Sequence, residues 1–312
     1  MRFVFLMDPI ETIVYQKDTT YALMCAANLA GHSCYYLAPE GILLGHQGLR
    51  FILKEIMAVR GHAPSYKEDL PIILDQDEIH ALFIRLDPPF NSTYMTCTWL
   101  LDRLPSKVFV CNNPNAVRTA QEKTWLLQFP DLVPPTLIAS NCRELLNFST
   151  QFEQIVLKPY DQFAGHGVFS FSSQDSNLKV AIEVLTNRGT NPCILQPFIP
   201  EADTGDKRIL LLNGEPLGAV LRKHSATDHR NNFFAGGEAL PCTLNERDYY
   251  IIHSIKETLK KLGLYFVGID ILGDYLVEIN VTSPTCLQEM MALENKDLSK
   301  DVIEFVYSRC KR

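Results

Sequence analysis

The stretch FVGIDILGDYLVEINVTSPT, Phe266 to Thr285, decides how this chain is read. Its two apolar runs flank Gly273-Asp274, the composition of a β-hairpin. Residues two apart on a strand point to one side, so Glu278 and Asn280 are co-directed. The direction of Asp270 depends on the turn. A two-residue turn at Gly273-Asp274 pairs 270 with 277 and sends the Asp270 carboxylate to the wrong face. A three-residue loop over Gly273 to Tyr275 sets Asp270 across from Glu278, and that loop is the expectation. Three oxygen donors among Val, Ile and Leu neighbours suit a hard cation such as magnesium, which keeps waters and bridges to phosphates. The bland alternative is a solvated edge hairpin. Against it, an acid and an amide inside VEINV are poor strand chemistry unless something binds them.

Outward from that hairpin, short apolar strands alternate with helical patterns, which favours an α/β architecture. Residues 2–7 read as a first strand. Asp18 is placed to cap a helix over 19–30, with Gly31 just beyond its end. A second strand at 34–38 completes a strand–helix–strand unit, and 39–76 read as an excursion before a strand at 81–86. A helix over 92–103, a strand over 107–112 and a helix opening at Pro114 follow. FPDLVPP (129–135) breaks any helix. Beyond it come IVLKP, VFSFSS, a helix at 178–187, CILQPFIP, and a hairpin KRILLLNGEPLGAVL turning at Asn213-Gly214. The polar loop 224–237 is either a plain connection or a lid. Residues 245–262 carry Ile251, Ile252, Ile255, Leu259 and Leu262 along one helical face.

The bulk composition narrows the function classes. The 312 residues are 46% hydrophobic and 21% charged, an ordinary globular balance. A formal net charge of −7 argues against a nucleic-acid partner while leaving room for a local basic pocket. The first apolar run, Phe3 to Met7, is too short for a secretion signal, and no run approaches the roughly 18 residues of a membrane span. Nine cysteines without a CxxC pair read as free thiols of a reducing, cytoplasmic compartment.

Several segments carry chemistry. Lys158 ends the IVLKP strand before the loop YDQFAGHGVF, where a lysine is placed to neutralise phosphate and Gly165 and Gly167 let backbone N–H groups approach it. Lys123 follows a polar helix stretch, TAQEKT. Arg208, Arg222 and Arg230 form an electrophilic set, their guanidinium forks matching carboxylate and phosphate oxygens. Arg85 precedes DPPF, a rigid loop at a strand end where Asp87 is placed for substrate contact. There is no GxSxG, HExxH or Walker pattern, and the eight histidines show no ligand spacing.

Taken together, MDPI, Lys17-Asp18, RxDPPF, Glu122-Lys123, LKP, GDKR, NGEP, AGG and above all VGIDI…GD…EINVTSPT resemble the bacterial glutathione synthetases, a family of ATP-grasp ligases, over essentially the whole length. The resemblance implies a Rossmann-like N-terminal α/β domain (1–122) followed by an ATP-grasp fold of two α+β subdomains, an ATP-lid subdomain (123–200) and a catalytic subdomain (201–312). It implies that Lys123 and Lys158 contact the nucleotide, that Gln196, Pro197, Phe198 and Ile199 line the adenine, and that Asp206 lies near the nucleotide. Asp270, Glu278 and Asn280 match magnesium or manganese ligands. Arg222 and Arg230 match positions serving the transferring phosphoryl and substrate carboxylates, and Arg85, Ser283, Pro284 and Thr285 match positions near the peptide. Where the family loop after LKP commonly has glycine, this chain has Gln162 and Ala164, and 222–237 runs about one residue short. The implied reaction joins γ-glutamylcysteine and glycine at the expense of ATP in a cytoplasmic homo-oligomer. Two alternatives stand beside it: an ATP-grasp ligase for another acid and amine, and a non-catalytic ATP-binding regulator.

Overall fold

The computed structural model describes residues 1–68, 70–162, 165–223 and 238–311. The loop over 224–237, read as either a plain connection or a lid, Arg230 within it, and Ala164 lie outside the described residues.

The first sheet is built from β1 (Arg2–Met7), α1 (Thr19–Leu29), β2 (Ser33–Leu37), β3 (Ile42–Gly45), β4 (Gly48–Met57), β5 (Ser65–Tyr66), β6 (Ile72–Asp75), β7 (Ala81–Arg85), α2 (Ser92–Leu101), β8 (Phe109–Cys111) and α3 (Pro114–Thr119). Its order is β3-β4-β2-β1-β7-β8, with β5 and β6 against β4. β2, β1, β7 and β8 run parallel, and β1 is buried on both faces, which explains why its sequence is continuously apolar rather than alternating. α1 starts where Asp18 accepts a hydrogen bond from the Tyr21 N–H, as the sequence indicates. The excursion at 39–76 is an antiparallel extension of this sheet. β4 buries Leu49, Phe51 and Leu53 and turns Arg50 and Ile52 outward, so the exposed Ile52 disguises its alternation.

A second, antiparallel sheet comprises β9 (Leu137–Ala139), α4 (Cys142–Ser149), β10 (Gln154–Pro159), β11 (Phe169–Ser172), α5 (Leu178–Leu185) and β12 (Cys193–Pro197), ordered β11-β10-β12-β9. The third holds β13 (Asp206–Leu212), β14 (Glu215–Lys223), β15 (Glu238–Pro241), α6 (Glu246–Leu262), β16 (Phe266–Leu272) and β17 (Tyr275–Asn280), followed by α7 (Leu287–Glu294) and α8 (Leu298–Cys310). Its order is β15-β14-β13-β16-β17, all antiparallel. Asn213 and Gly214 both take positive φ at the β13–β14 turn (52° and 79°), the two-residue geometry whose twist matches the strands it joins.

The cores are unequal. The second sheet has its own small core of Leu145, Ile155, Leu157, Leu178, Ile182, Cys193 and Leu195. The first and third sheets share theirs: Val4, Leu6 and Ile84 pack in one cluster with Ile209, Ile251 and Ile269, and Phe3 and Phe5 pack in another with Met290, Val302 and Val306. The chain's last helix therefore covers a face of the first sheet. Asn112, at the end of β8, adds a polar clamp. Its amide oxygen accepts from the Tyr265 and Phe266 N–H groups (2.8 and 2.9 Å), and its amide nitrogen donates to the Phe266 and Val281 carbonyls (2.7 and 2.9 Å). One buried side chain thus ties the first sheet to both strands of the opening hairpin.

Candidate active site

The hairpin reaches its expected pairing by an unexpected route. Leu272 pairs with Tyr275 and Ile271 with Leu276, so the turn is the two-residue Gly273-Asp274. The register then slips by one, and Asp270 still faces Glu278. Val277 is the extra residue, a β-bulge that supplies the odd count assigned to the turn from sequence. Gly268 pairs with Asn280, completing the set on one face.

The same face continues across β13 and β14. Asp206 and Arg208 are two apart on β13; Asp206 pairs with Arg222 of β14, and Arg208 with Asp270 of β16. Four charges therefore lie side by side, each less than a tenth exposed. Arg208 grips both oxygens of Asp270, its Nη2 donating to Oδ2 at 2.8 Å. Arg222 Nε donates to Asp206 Oδ1 (3.2 Å), while Arg222 Nη2 donates to both Asp206 Oδ2 and Asp270 Oδ2, the latter at 2.8 Å. Burial by itself would raise the Asp270 carboxyl, but the two guanidinium groups outweigh it and hold Asp270 well below the usual carboxylate range. Asp206 is raised, because its burial outweighs the pull of Arg222.

Lys123 does not sit on a helix. It lies in a turn ahead of a short 3-10 segment, where the Gln121 side-chain oxygen accepts from the Lys123 and Thr124 N–H groups. Its ammonium lies 2.8 Å from Glu278 Oε1 and donates to the Gln162 carbonyl at 2.7 Å. Lys158, on β10, has no ion-pair or hydrogen-bond partner among the described residues, and burial, helped by the charge of Lys123, pulls it down to about 8.

These groups wall one cavity of about 340 Å³. Lys123, Lys158, Gly165, Gln196, Pro197, Phe198, Ile199, Asp206, Arg208, Arg222, Asp270, Glu278, Asn280, Asp87, Ser283 and Thr285 all line it. Gly167, Arg85 and Pro284 do not. Gly167 has φ +71° and a Cβ there would sit 2.9 Å from Pro159 Cγ, so its lack of a side chain serves loop packing. Arg85 is buried behind the wall, where Nε donates to Thr20 Oγ1 and Nη2 to the Pro284 carbonyl, both at 3.0 Å. It fastens the first sheet to the Ser283–Thr285 segment.

Glu122 and Thr282, among the residues not singled out as site residues, also line the cavity. Glu122 accepts from Thr282 Oγ1 at 2.8 Å, and burial together with the charge of Glu278 raises its carboxyl. Its backbone carbonyl accepts from the Ile279 N–H at 3.0 Å, so the 121–123 segment runs along β17. The adjacent pair Glu122-Lys123 was the only sequence signal.

The donor chemistry suits a hard cation. Among the described residues no three His, Cys, Asp or Glu side chains converge as a metal centre. Asp270 and Glu278 supply two carboxylates opposite each other, and the remaining oxygen of the set is an amide, that of Asn280.

Comparison with known proteins matches this architecture from end to end. The family models described as prokaryotic glutathione synthetase, N-terminal domain and ATP-grasp domain match residues 1–118 and 122–295. The chain belongs to the prokaryotic glutathione synthetase family. It is 36% identical to the glutathione synthetase of Vibrio cholerae, covering 98% of this chain and 97% of that one. The Coxiella burnetii glutathione synthetase is likewise 36% identical, over 97% and 95%. Solved structures share the fold at low identity. D-cycloserine synthetase DcsG superposes with a TM-score of 0.67 at 14% identity over 97% and 99% of the chains, and the macrocyclase MdnC of Microcystis aeruginosa at 0.66 and 17% over 99% and 100%. As a member of this family the chain is an ATP-dependent carbon–nitrogen ligase with an ATP-grasp fold.

Proposed function

We propose that this protein joins γ-glutamylcysteine to glycine, with ATP converted to ADP and phosphate. The observation that carries the reading is one cavity lined by Lys158 of the second sheet, by Lys123 of the turn along β17, and by Asp270, Glu278 and Asn280 of the third sheet. In the same reading residues 1–122 form the N-terminal domain, and 123–200 and 201–312 form the two subdomains that grip ATP.

A carboxylate is a poor acyl donor because oxide would have to leave. Phosphorylation by ATP turns that oxygen into a leaving phosphate; the glycine amine then attacks the acyl phosphate, and phosphate departs through a tetrahedral intermediate. No enzyme nucleophile is required. Lys158 and Lys123 place cationic charge against the phosphates, with Gly165 in the covering loop and Gln196 to Ile199 along the adenine. Arg208 and Arg222 present guanidinium groups to the transferring phosphoryl and the peptide carboxylate. Asp87, Ser283 and Thr285 line the end of the cavity nearest the first sheet and orient the peptide. Arg85 and Pro284 hold that segment in place from behind, and Gly167 shapes the loop. Asp270, Glu278 and Asn280 would hold magnesium or manganese, which when bound screens phosphate charge and polarises the transferring group. We also place the protein in the cytoplasm as a homo-oligomer, without nucleic-acid or membrane partners. Among the described residues, no helix is long and apolar enough to cross a membrane.

ADP release from the purified protein tests this reading. γ-Glutamylcysteine and glycine together should raise it far above the ATP-only rate. Release that depends on another amine, with glycine inert, would assign a different ligase, and release unaffected by any acid and amine would overturn the ligation.

A further inference from the structure

The four-charge face carries an asymmetry that matters once a cation arrives. Asp270 accepts from both arginines, so a divalent cation reaching its carboxylate meets two guanidinium groups already there. The two are not equally free to leave. Arg208 has Asp270 as its sole ion-pair partner among the described residues, and letting go would strand a buried cation. Arg222 is held in bidentate fashion by Asp206 and touches Asp270 through Nη2 alone. It can withdraw from Asp270 Oδ2 and remain neutralised.

We infer that Asp206 is a positioning residue: it keeps Arg222 anchored while a divalent cation takes over the Oδ2 atom of Asp270. This rests on the reading of Asp270 as a cation ligand. With Asp206 present, withdrawal of Arg222 costs one hydrogen bond and leaves that guanidinium paired. Without it, Arg222 has only Asp270 to pair with among the described residues and competes with the cation for that carboxylate. Asp206 therefore acts on the cation through Arg222, as an outer partner that sets how readily a ligand is given up.

The test is titration of the ADP-saturated protein with Mn²⁺, followed by electron paramagnetic resonance, which reads the cation without turnover. Asp206→Asn should weaken Mn²⁺ binding by about 10–100-fold, the usual cost of losing an outer-shell partner. Arg222→Met should bind no more weakly than the unsubstituted protein. The double variant D206N/R222M should bind like R222M, since removing the competitor makes its anchor dispensable. A double variant as weak as D206N, or a D206N that binds normally, would overturn the inference, because Asp206 would then act directly or not at all. If D206N alone does not give a cooperative melt, R222M against the double variant still decides: both lack the competing guanidinium, and the double variant also lacks the Asp206 carboxylate that R222M leaves without its partner. Asp270→Asn separates the underlying reading: retained Mn²⁺ binding there means that Asp270 is not the ligand, whatever Asp206 does.

Discussion

The second and third sheets carry their buried charges in opposite ways. On the third, Asp206, Arg208, Arg222 and Asp270 answer one another across neighbouring strands, and Glu278 is answered by Lys123. On the second, Lys158 faces the same cavity with no counter-ion among the described residues. The packing follows the same division: the third sheet shares its cores with the first, whereas the second has a small core of its own. A charge network built on strands that are packed from both sides is complete before any ligand binds. An uncompensated lysine on a separately packed sheet is a deficit that an anion removes. The cleft therefore pairs a finished electrostatic surface with an unfinished one, and the proposed reading sets the phosphates of ATP against the unfinished side.

The largest effect expected from this contrast is on the third sheet. Arg208→Gln breaks a buried pair and leaves Asp270 short of a partner, so it should cost about 3–5 kcal/mol in chemical denaturation. A loss under about 1 kcal/mol would mean that the network is not the internally balanced unit described. Glu278→Gln should keep the cooperative melt of the parent and lower ADP release by roughly 10²–10³-fold. Parental rates would remove Glu278 from the site.

The second sheet should behave in the reverse sense. Lys158→Met deletes a half-buried charge with no ion-pair partner among the described residues, so the nucleotide-free protein should melt at the same temperature or higher while ATP binding weakens, measured by calorimetry on one preparation. A pH series sharpens this. Lys158 is depressed from its ordinary value to about 8, so it is protonated below that pH and neutral above it. ATP affinity should accordingly fall as pH rises from 7 to 9, with proton uptake on binding. Lys158→Arg, always charged, should flatten the profile. An equally steep profile in that variant would place the titrating group elsewhere. The smallest effect is at the surface of the second sheet's helix. Lys179 and Glu183 lie 3.9 Å apart with both side chains largely solvated, and Lys179→Ala should change stability by no more than about 0.5 kcal/mol.

Much of the fold was legible because its signals are local. Asp18 capping α1, Asn213-Gly214 turning β13 into β14, and the apolar stripe of α6 are decided within a few residues. Misreadings arose where distant chain overrides local pattern. Lys123 sits in TAQEKT, a sequence compatible with a helix, yet Gln121 bonds to the chain ahead of it and to the Tyr160 carbonyl, which makes a turn. β4 hid its alternation because Ile52 is exposed on an outer face. Asn112 looked like the end of a strand. Four of its hydrogen bonds reach residues more than 150 positions away, and no spacing rule reports them.

The sequence alone determined that Glu278 and Asn280 point the same way, since side chains on a strand alternate with a period of two. It also determined the α/β class and the family, because the motifs that carry them are contiguous. Only the tertiary structure decided how Asp270 joins that pair. A bulge at Val277 is invisible to any count of turn residues, and it shifts the register as an extra loop residue would. Only the tertiary structure, too, set Arg208 against Asp270, 62 residues away, and Arg222 between two carboxylates. Such pairings follow from the register of three strands at once. Register is settled by the packing of whole sheet faces, not by the residues that end up paired.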